Sequence, residues 1–296
     1  MPKGQIIKAL SGYYYVQEDE TKRVWQCRAR GVFKKRKISP LVGDYVQFDP
    51  GQNEEGTVTE VHARKNELNR PPVANVDQAL LVFSVNEPAF SAILLDKFLV
   101  HIEQARITPV ICLTKVDLAD HPEHQYPEIK AYQDLGYPFF MTSATTQNGI
   151  EHLTEYLSGK TTVFAGQSGV GKSSLLNAID PQLELETREI SNRLGRGKHT
   201  TRHVELIPLP KGGFVADTPG FSQLDFTGIE PETLTEYFID FEPYRPQCKF
   251  RECLHQKEPK CAVKQAVEDG HIAQHRYQHY IQFLEKIQDE KYRRGF

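Results

Sequence analysis

A chain of 296 residues, 39% hydrophobic and 25% charged, is long enough to bury two or three cores. Its formal net charge of −3 excludes a global nucleic-acid signature, so any such contact must come from local patches. No uninterrupted apolar run reaches bilayer length and Met1 to Ser11 lacks a signal-peptide core, so no membrane contact is expected and the cytoplasm is the expected compartment; five cysteines in that reducing setting argue against a disulfide framework.

Residues 1–68 read as short strands broken by turn residues. Tyr13 to Val16, Val24 to Phe33, Asp44 to Phe48 and Gly56 to Val61 are the predicted strands, a pattern that favours a small OB-type barrel suited to RNA. Between Thr21 and Gly43 lie Lys22, Arg23, Arg28, Arg30, Lys34, Lys35, Arg36 and Lys37, with no acidic residue among them. Such a run serves either a solvated strand face or RNA, and Trp25 and Phe33 within it serve either stacking or the core.

Around Asn69 to Pro72 the pattern changes to buried-strand runs alternating with helices, which predicts a doubly wound α/β domain over 69–225. Ala79 to Val85 is the first such strand and Leu94 to Ala105 the first helix. Pro109 to Leu113 ends in Thr114-Lys115-Val116-Asp117, Tyr137 to Met141 ends in Thr142-Ser143-Ala144, and Ile150 to Leu157 is a helix. The strand from Thr161 then enters Gly166-Gln167-Ser168-Gly169-Val170-Gly171-Lys172-Ser173-Ser174, which matches the phosphate-binding loop G-x-x-x-x-G-K-[ST]. The glycines let successive N–H groups face a phosphate, Lys172 reaches its oxygens, and the Ser173 hydroxyl is placed to hold Mg²⁺. A polar, glycine-broken segment, Ser191 to Thr201, precedes the strand pair Val204 to Leu209 and Gly213 to Ala216, and the second of these ends in Asp217-Thr218-Pro219-Gly220.

In residues 226–296, Cys248, Cys253, His255 and Cys261 offer three thiolates and one imidazole at short spacing, the donor set of a closed tetrahedral Zn²⁺ site in a helical region. Cys27 and Cys112 stand in apolar strand patterns and read as inert. His271 to Arg294 reads as a helix whose His275, Arg276, His279, Lys286, Lys291, Arg293 and Arg294 serve RNA or a solvated face.

Four further elements resemble the GTPase superfamily. Asp117 is placed like the carboxylate that accepts two hydrogen bonds from guanine, with Lys115 like the lysine packed along the base; Thr114 stands where that superfamily usually has Asn. Ser143-Ala144 resembles the motif whose backbone approaches guanine O6. The resemblance makes Asp217 and either Thr200 or Thr201 magnesium ligands, and brings the Gly220 N–H to the γ-phosphate.

The order is unusual: the base-binding pair precedes the phosphate loop, and the switch residues follow it. Joining old termini and cutting a surface connection keeps the contacts while permuting the sequence. With a barrel before and a cysteine cluster after, the whole chain resembles the RsgA family, bacterial GTPases of small ribosomal subunit maturation. That resemblance implies a monomer that binds the small (30S) subunit and its 16S rRNA through both flanks and hydrolyses GTP to GDP to drive its release. Phe221 stands where Ras-like proteins carry a water-orienting glutamine, which leaves His199, beside the switch threonines, as the local catalytic candidate. A GTP-dependent RNA-binding module with negligible turnover and a small-molecule P-loop kinase are the rival readings.

Overall fold

The computed structural model describes residues 1–31, 33, 38–69, 72–185, 204–216 and 225–294. Five strands, β1 (Lys3–Leu10), β2 (Tyr13–Glu18), β3 (Val24–Ala29), β4 (Tyr45–Pro50) and β5 (Glu55–Val61), close a barrel in the order β1-β2-β3-β5-β4. β1 pairs antiparallel with β4 to shut it, and β3 runs parallel to β5. Ile6, Val16, Cys27, Val46, Phe48 and Val58 point inward and are fully buried, as the period of two requires.

The sequence reading placed four of these strands and missed β1, whose Gly4, Gln5 and Lys8 dilute its apolar signal. Gly4 is needed there, because a Cβ would come 2.4 Å from the Gln17 carbonyl oxygen. The strand expected over Val24 to Phe33 stops at Ala29, and Phe33 is a buried core residue. Trp25 is half-buried and packs on the core residue Phe48, with ring centres 5.8 Å apart. Lys22, Arg23, Arg28 and Arg30 are exposed, Arg28 with its guanidinium 4.7 Å from the Tyr13 ring centre, whereas Lys34, Lys35, Arg36 and Lys37 lie outside the described residues.

A short hairpin, β6 (Glu67–Asn69) and β7 (Pro72–Ala74), leads into a sheet of β8 (Gln78–Ser84), β9 (Thr108–Thr114), β10 (Phe139–Met141), β11 (Thr161–Ala165), β12 (Leu206–Pro208) and β13 (Phe214–Ala216). Its order is β10-β9-β8-β11-β13-β12. β8 pairs parallel with β9 and β11, β11 parallel with β13, and the edge strand β12 antiparallel with β13. Every residue of β8 and β11 is buried, which is why both read as unbroken apolar runs. From β8 the chain steps outward through β9 to β10, and from β11 to the opposite edge. The crevice beyond the C-terminal ends of β8 and β11 is therefore the switch point at which such sheets bind ligands.

Helices α1 (Ala92–Gln104), α2 (Pro122–Gln125), α3 (Glu128–Asp134), α4 (Ile150–Leu157) and α5 (Lys172–Ile179) alternate with the strands; α6 (Pro231–Leu234), α7 (Ala262–Glu268) and α8 (Gln274–Arg294) follow them. The chain divides into two compact units. One holds the barrel, the sheet, α4 and α5 around a core that includes Leu80, Val110, Leu153, Phe164 and Leu175. The other gathers α1, α2 and α3 with the C-terminal region around Val100, Phe226, Phe238, Phe241, Tyr280 and Phe283. Helices that lie within the 69–225 segment of the sequence thus group in space with the cysteine-bearing region.

The basic face expected on the last helix is corrected at its first turns. Arg276 is 1% exposed, bonded through Nη2 and Nε to Asp240 at 2.6 and 3.0 Å and through Nη1 to Asp96 of α1. His279 Nδ1 lies 2.6 Å from the other Asp96 oxygen. Two buried carboxylates need a cation, and Arg276 supplies it inside the core instead of facing RNA or water.

Candidate nucleotide-binding site and metal centre

The phosphate loop leaves the end of β11 and closes on α5. Gly166, Gly169 and Gly171 have φ of 150°, 84° and 97°, values that favour glycine. A Cβ on Gly166 would come 2.2 Å from the Val82 carbonyl oxygen, so the loop can pack on β8 only with glycine there. Gly171 caps α5 without a side-chain cap, so the helix N-terminus faces the loop, and Ser173 is buried in its first turn. Lys172 Nζ folds back over the loop to the carbonyls of Gly166 and Gln167 at 2.8 and 2.7 Å.

The Thr114 to Asp117 turn lies against this loop. Thr114 is buried, and its hydroxyl lies 3.0 Å from the Phe83 carbonyl and closer still to that of Val170. A Cβ on Gly171 would meet Thr114 Oγ1 at 3.6 Å and Lys115 Cε at 3.9 Å. Lys115 adopts φ 58° and caps the one-turn helix Val116–Leu118, which leaves Asp117 exposed at the mouth. The turn is tied to the end of β10 by the Val116 N–H on the Thr142 carbonyl at 3.3 Å. Ser143 is fully buried, its hydroxyl accepting from the Thr146 N–H at 3.1 Å, with Ala144 half-buried beside it.

Gly166 to Ser174, Thr114 to Asp117 and Ser143-Ala144 are therefore brought to one crevice. His199, Thr200, Thr201, Asp217, Gly220 and Phe221 lie outside the described residues. Sequence reasoning missed the loop after β8: Lys115 Nζ donates to the Glu87 carbonyl at 2.6 Å, and a Cβ on Gly169 would meet Pro88 Cδ at 3.8 Å. The contact runs through a main-chain oxygen, for which no side-chain motif exists.

In the other unit, Cys248, Cys253, His255 and Cys261 place one ligand atom each within 4.8 Å of all the others. His255 Nδ1 is 3.2 Å from Cys261 Sγ and 3.6 Å from Cys248 Sγ, and the two sulfurs are 3.8 Å apart. A tetrahedral zinc with Zn–S of about 2.3 Å has edges of about 3.8 Å, so the donor set and its spacing fit the ion. Desolvation pushes the Cys253 thiol up to about 12 and the His255 imidazole down to about 4, and a divalent cation reverses the first and favours the second. The other ring nitrogen of His255 lies 3.1 Å from the Thr235 hydroxyl, which fixes the ring. Tyr277 and Tyr280 of α8 donate to the carbonyls of His255 and Leu254 at 2.7 and 2.9 Å. Cys27 and Cys112 are fully buried elsewhere, and desolvation raises their thiols to about 11 and about 12.

The family model described as RsgA GTPase matches residues 61–227, and the model described as RsgA N-terminal domain matches residues 3–58. The chain belongs to the RsgA GTPase family. RsgA relatives named small ribosomal subunit biogenesis GTPase include one from Bacillus velezensis, 56% identical over 98% of this chain and 99% of its own, and one from Bacillus subtilis, 56% identical over the same shares. Among solved structures, "YloQ, a circularly permuted GTPase" superposes with a TM-score of 0.84 at 50% identity, covering 98% of this chain and 96% of its own. YjeQ from Thermotoga maritima superposes with a TM-score of 0.85 at 39% identity, covering 97% and 98%. The permuted RsgA order explains how the Thr114 to Asp117 turn, which comes first in the chain, and the glycine loop, which comes later, meet at one switch point: β9 and β11 flank β8 in the sheet whatever the order of their joining. The protein is a GTPase with a closed barrel and a Cys₃His cluster able to hold zinc.

Proposed function

We propose that this GTPase acts in late maturation of the small (30S) ribosomal subunit, binding the subunit and its 16S rRNA through the barrel and the zinc region and leaving after GTP becomes GDP. The observation that supports the nucleotide half is the hydrogen bond of the Thr114 hydroxyl to the Val170 carbonyl, which ties the Thr114 to Asp117 turn to the glycine loop. Asp117 accepts from guanine N1–H and the exocyclic amine, a donor pair adenine lacks. Backbone N–H groups of Gly166 to Ser174, with Lys172, hold the phosphates, and Ser143-Ala144 frames the base. Ser173, Asp217 and one of Thr200 and Thr201 would hold Mg²⁺, which supplies charge neutralisation on the β- and γ-phosphates. The Gly220 N–H meets the γ-phosphate, and His199 orients the attacking water in place of the absent glutamine. The protein works as a cytoplasmic monomer. Among the described residues no helix is long and apolar enough to cross a membrane.

The printed names of the relatives support the ribosomal client, and the exposed Lys22, Arg23, Arg28 and Arg30 on the barrel support an RNA contact. The deciding measurement is the GTPase rate with and without purified small subunits. Acceleration by subunits with release of GDP and phosphate supports the reading. Intact bound GTP would favour the regulatory module, and a phosphorylated acceptor the kinase.

A further inference from the structure

Phe250 is out of place. Phe226, Phe238, Phe241 and Phe283, which form the core of the C-terminal region, are at most 4% exposed, yet Phe250 is 43% exposed. It stands in the middle of the four residues, Lys249 to Glu252, that separate the ligands Cys248 and Cys253, so both ends of its loop are pinned to one cluster. A short loop held this way presents its ring in a fixed place and loses little freedom when a partner stacks on it.

The charge around the ring is positive although the chain carries −3 overall. Lys249, Arg251, Lys257 and Lys260 are exposed, and among the described residues none of them forms an ion pair. Glu258 is turned inward, accepting from the N–H groups of Leu254, Gln256 and Lys257 at 2.8, 2.9 and 3.0 Å, which leaves Glu252 as the exposed carboxylate of the loop. Lys249 Nζ lies 5.5 Å from the Phe250 ring centre, a cation beside an open aromatic face. An aromatic platform flanked by cations matches an unpaired nucleotide, whose base stacks while its phosphates meet the lysine and arginine.

We propose that the Cys248–Cys253 loop is a single-stranded RNA contact in which the Phe250 ring stacks on an unpaired base and Lys249 and Arg251 meet the adjoining phosphates. This rests on the small-subunit reading and specifies which chemical feature of the RNA this loop takes.

The test uses the full-length, zinc-loaded chain, with zinc content measured in every variant. Trp25→Phe combined with Phe250→Trp leaves one tryptophan, on the loop, whose fluorescence reports that site alone. Titration with a uridine dodecanucleotide at low salt should quench it, and poly-glutamate should not. In competition against purified small subunits, Phe250→Ala should weaken binding about tenfold, Phe250→Trp should keep it, and Phe250→Leu should behave like Phe250→Ala, because stacking needs a π face. No quenching by the oligonucleotide, equal quenching by poly-glutamate (an acidic protein partner instead), or full affinity in Phe250→Leu or Phe250→Ala would each overturn the inference. Any of those results with wild-type subunit binding intact leaves the small-subunit reading standing; wild type that fails to bind subunits removes the reading itself.

Discussion

The Thr114 hydroxyl, at the end of one sheet strand, donates to the main-chain oxygen of Val170 in the middle of the phosphate loop, with the Phe83 carbonyl as its alternative acceptor. One proton thus ties the turn proposed to select guanine to the glycine loop, in the place where the GTPase superfamily usually has Asn. Thr114→Val keeps the shape and removes the donor, leaving the buried Val170 carbonyl short of its hydrogen bond at a cost of about 1–3 kcal/mol. We expect affinity for GTP and GDP to fall together, by about tenfold, with kcat nearly unchanged, because the tie is the same in both nucleotide states. Fluorescent-nucleotide titration and steady-state rates check this, and Thr114→Ser should restore most of the loss.

Asp117 is exposed at the mouth of the same crevice, open to a ligand. Replacing its carboxylate by an amide turns an acceptor pair into a donor and an acceptor, so Asp117→Asn should bind GTP far more weakly and gain xanthosine triphosphate, whose 2-oxo group accepts from the amide. Competition binding with GTP, XTP and ATP decides; unchanged preference for GTP over both would reject the assignment.

The Asp96, Arg276, Asp240 and His279 cluster joins α1 to the C-terminal region inside one unit. Arg276→Leu strands two buried carboxylates and should destabilise that unit by about 3–5 kcal/mol. Arg276→Lys should recover only part of this, since one ammonium cannot reproduce the forked contacts to both carboxylates. Thermal unfolding should show the loss, and hydrogen exchange should place it in α1 and α8.

Zinc should hold the Cys248 to Cys261 loop outright. Cys253→Ser is expected to lose the metal and to expose residues 245–270 to protease, while nucleotide affinity in the other unit persists. Metal analysis with limited proteolysis tests it. A wild type without stoichiometric zinc would reject the site.

Lys8 of the barrel pairs with Glu205 at 2.9 Å, and the two residues also form a β-bridge. Glu205 lies just after the sequence segment 186–203 that carries His199, Thr200 and Thr201, so a change there with nucleotide state would reach the barrel through this bridge. Lys8→Glu should narrow the ratio of small-subunit affinities measured with a non-hydrolysable GTP analogue and with GDP by several-fold, and Lys8→Glu with Glu205→Lys should restore it. Unfolding temperature should hardly move, because a half-exposed pair contributes at most about 1 kcal/mol. A single variant with the wild-type ratio would exclude this route.

What the sequence by itself determined is whatever is encoded within one turn of chain. The phosphate loop needs glycines at fixed spacing and a following helix, the proposed guanine selection needs a carboxylate such as Asp117 at a strand end, and the candidate metal centre needs three thiolates and an imidazole close together; each is legible because its geometry is local. The OB-type barrel was legible from alternation, apart from β1, whose polar residues hide the period of two. What only the tertiary structure decided concerns partners far apart in the chain. Arg276 on a charged helix reads as a surface residue until folding brings in Asp96, 180 residues earlier. Thr114 reads as a departure from a motif until β8 and β11 pair and set Val170 over its hydroxyl. Helix periodicity says which residues share a face, never which buried charge that face will meet, and that depends on long-range packing that no local pattern records.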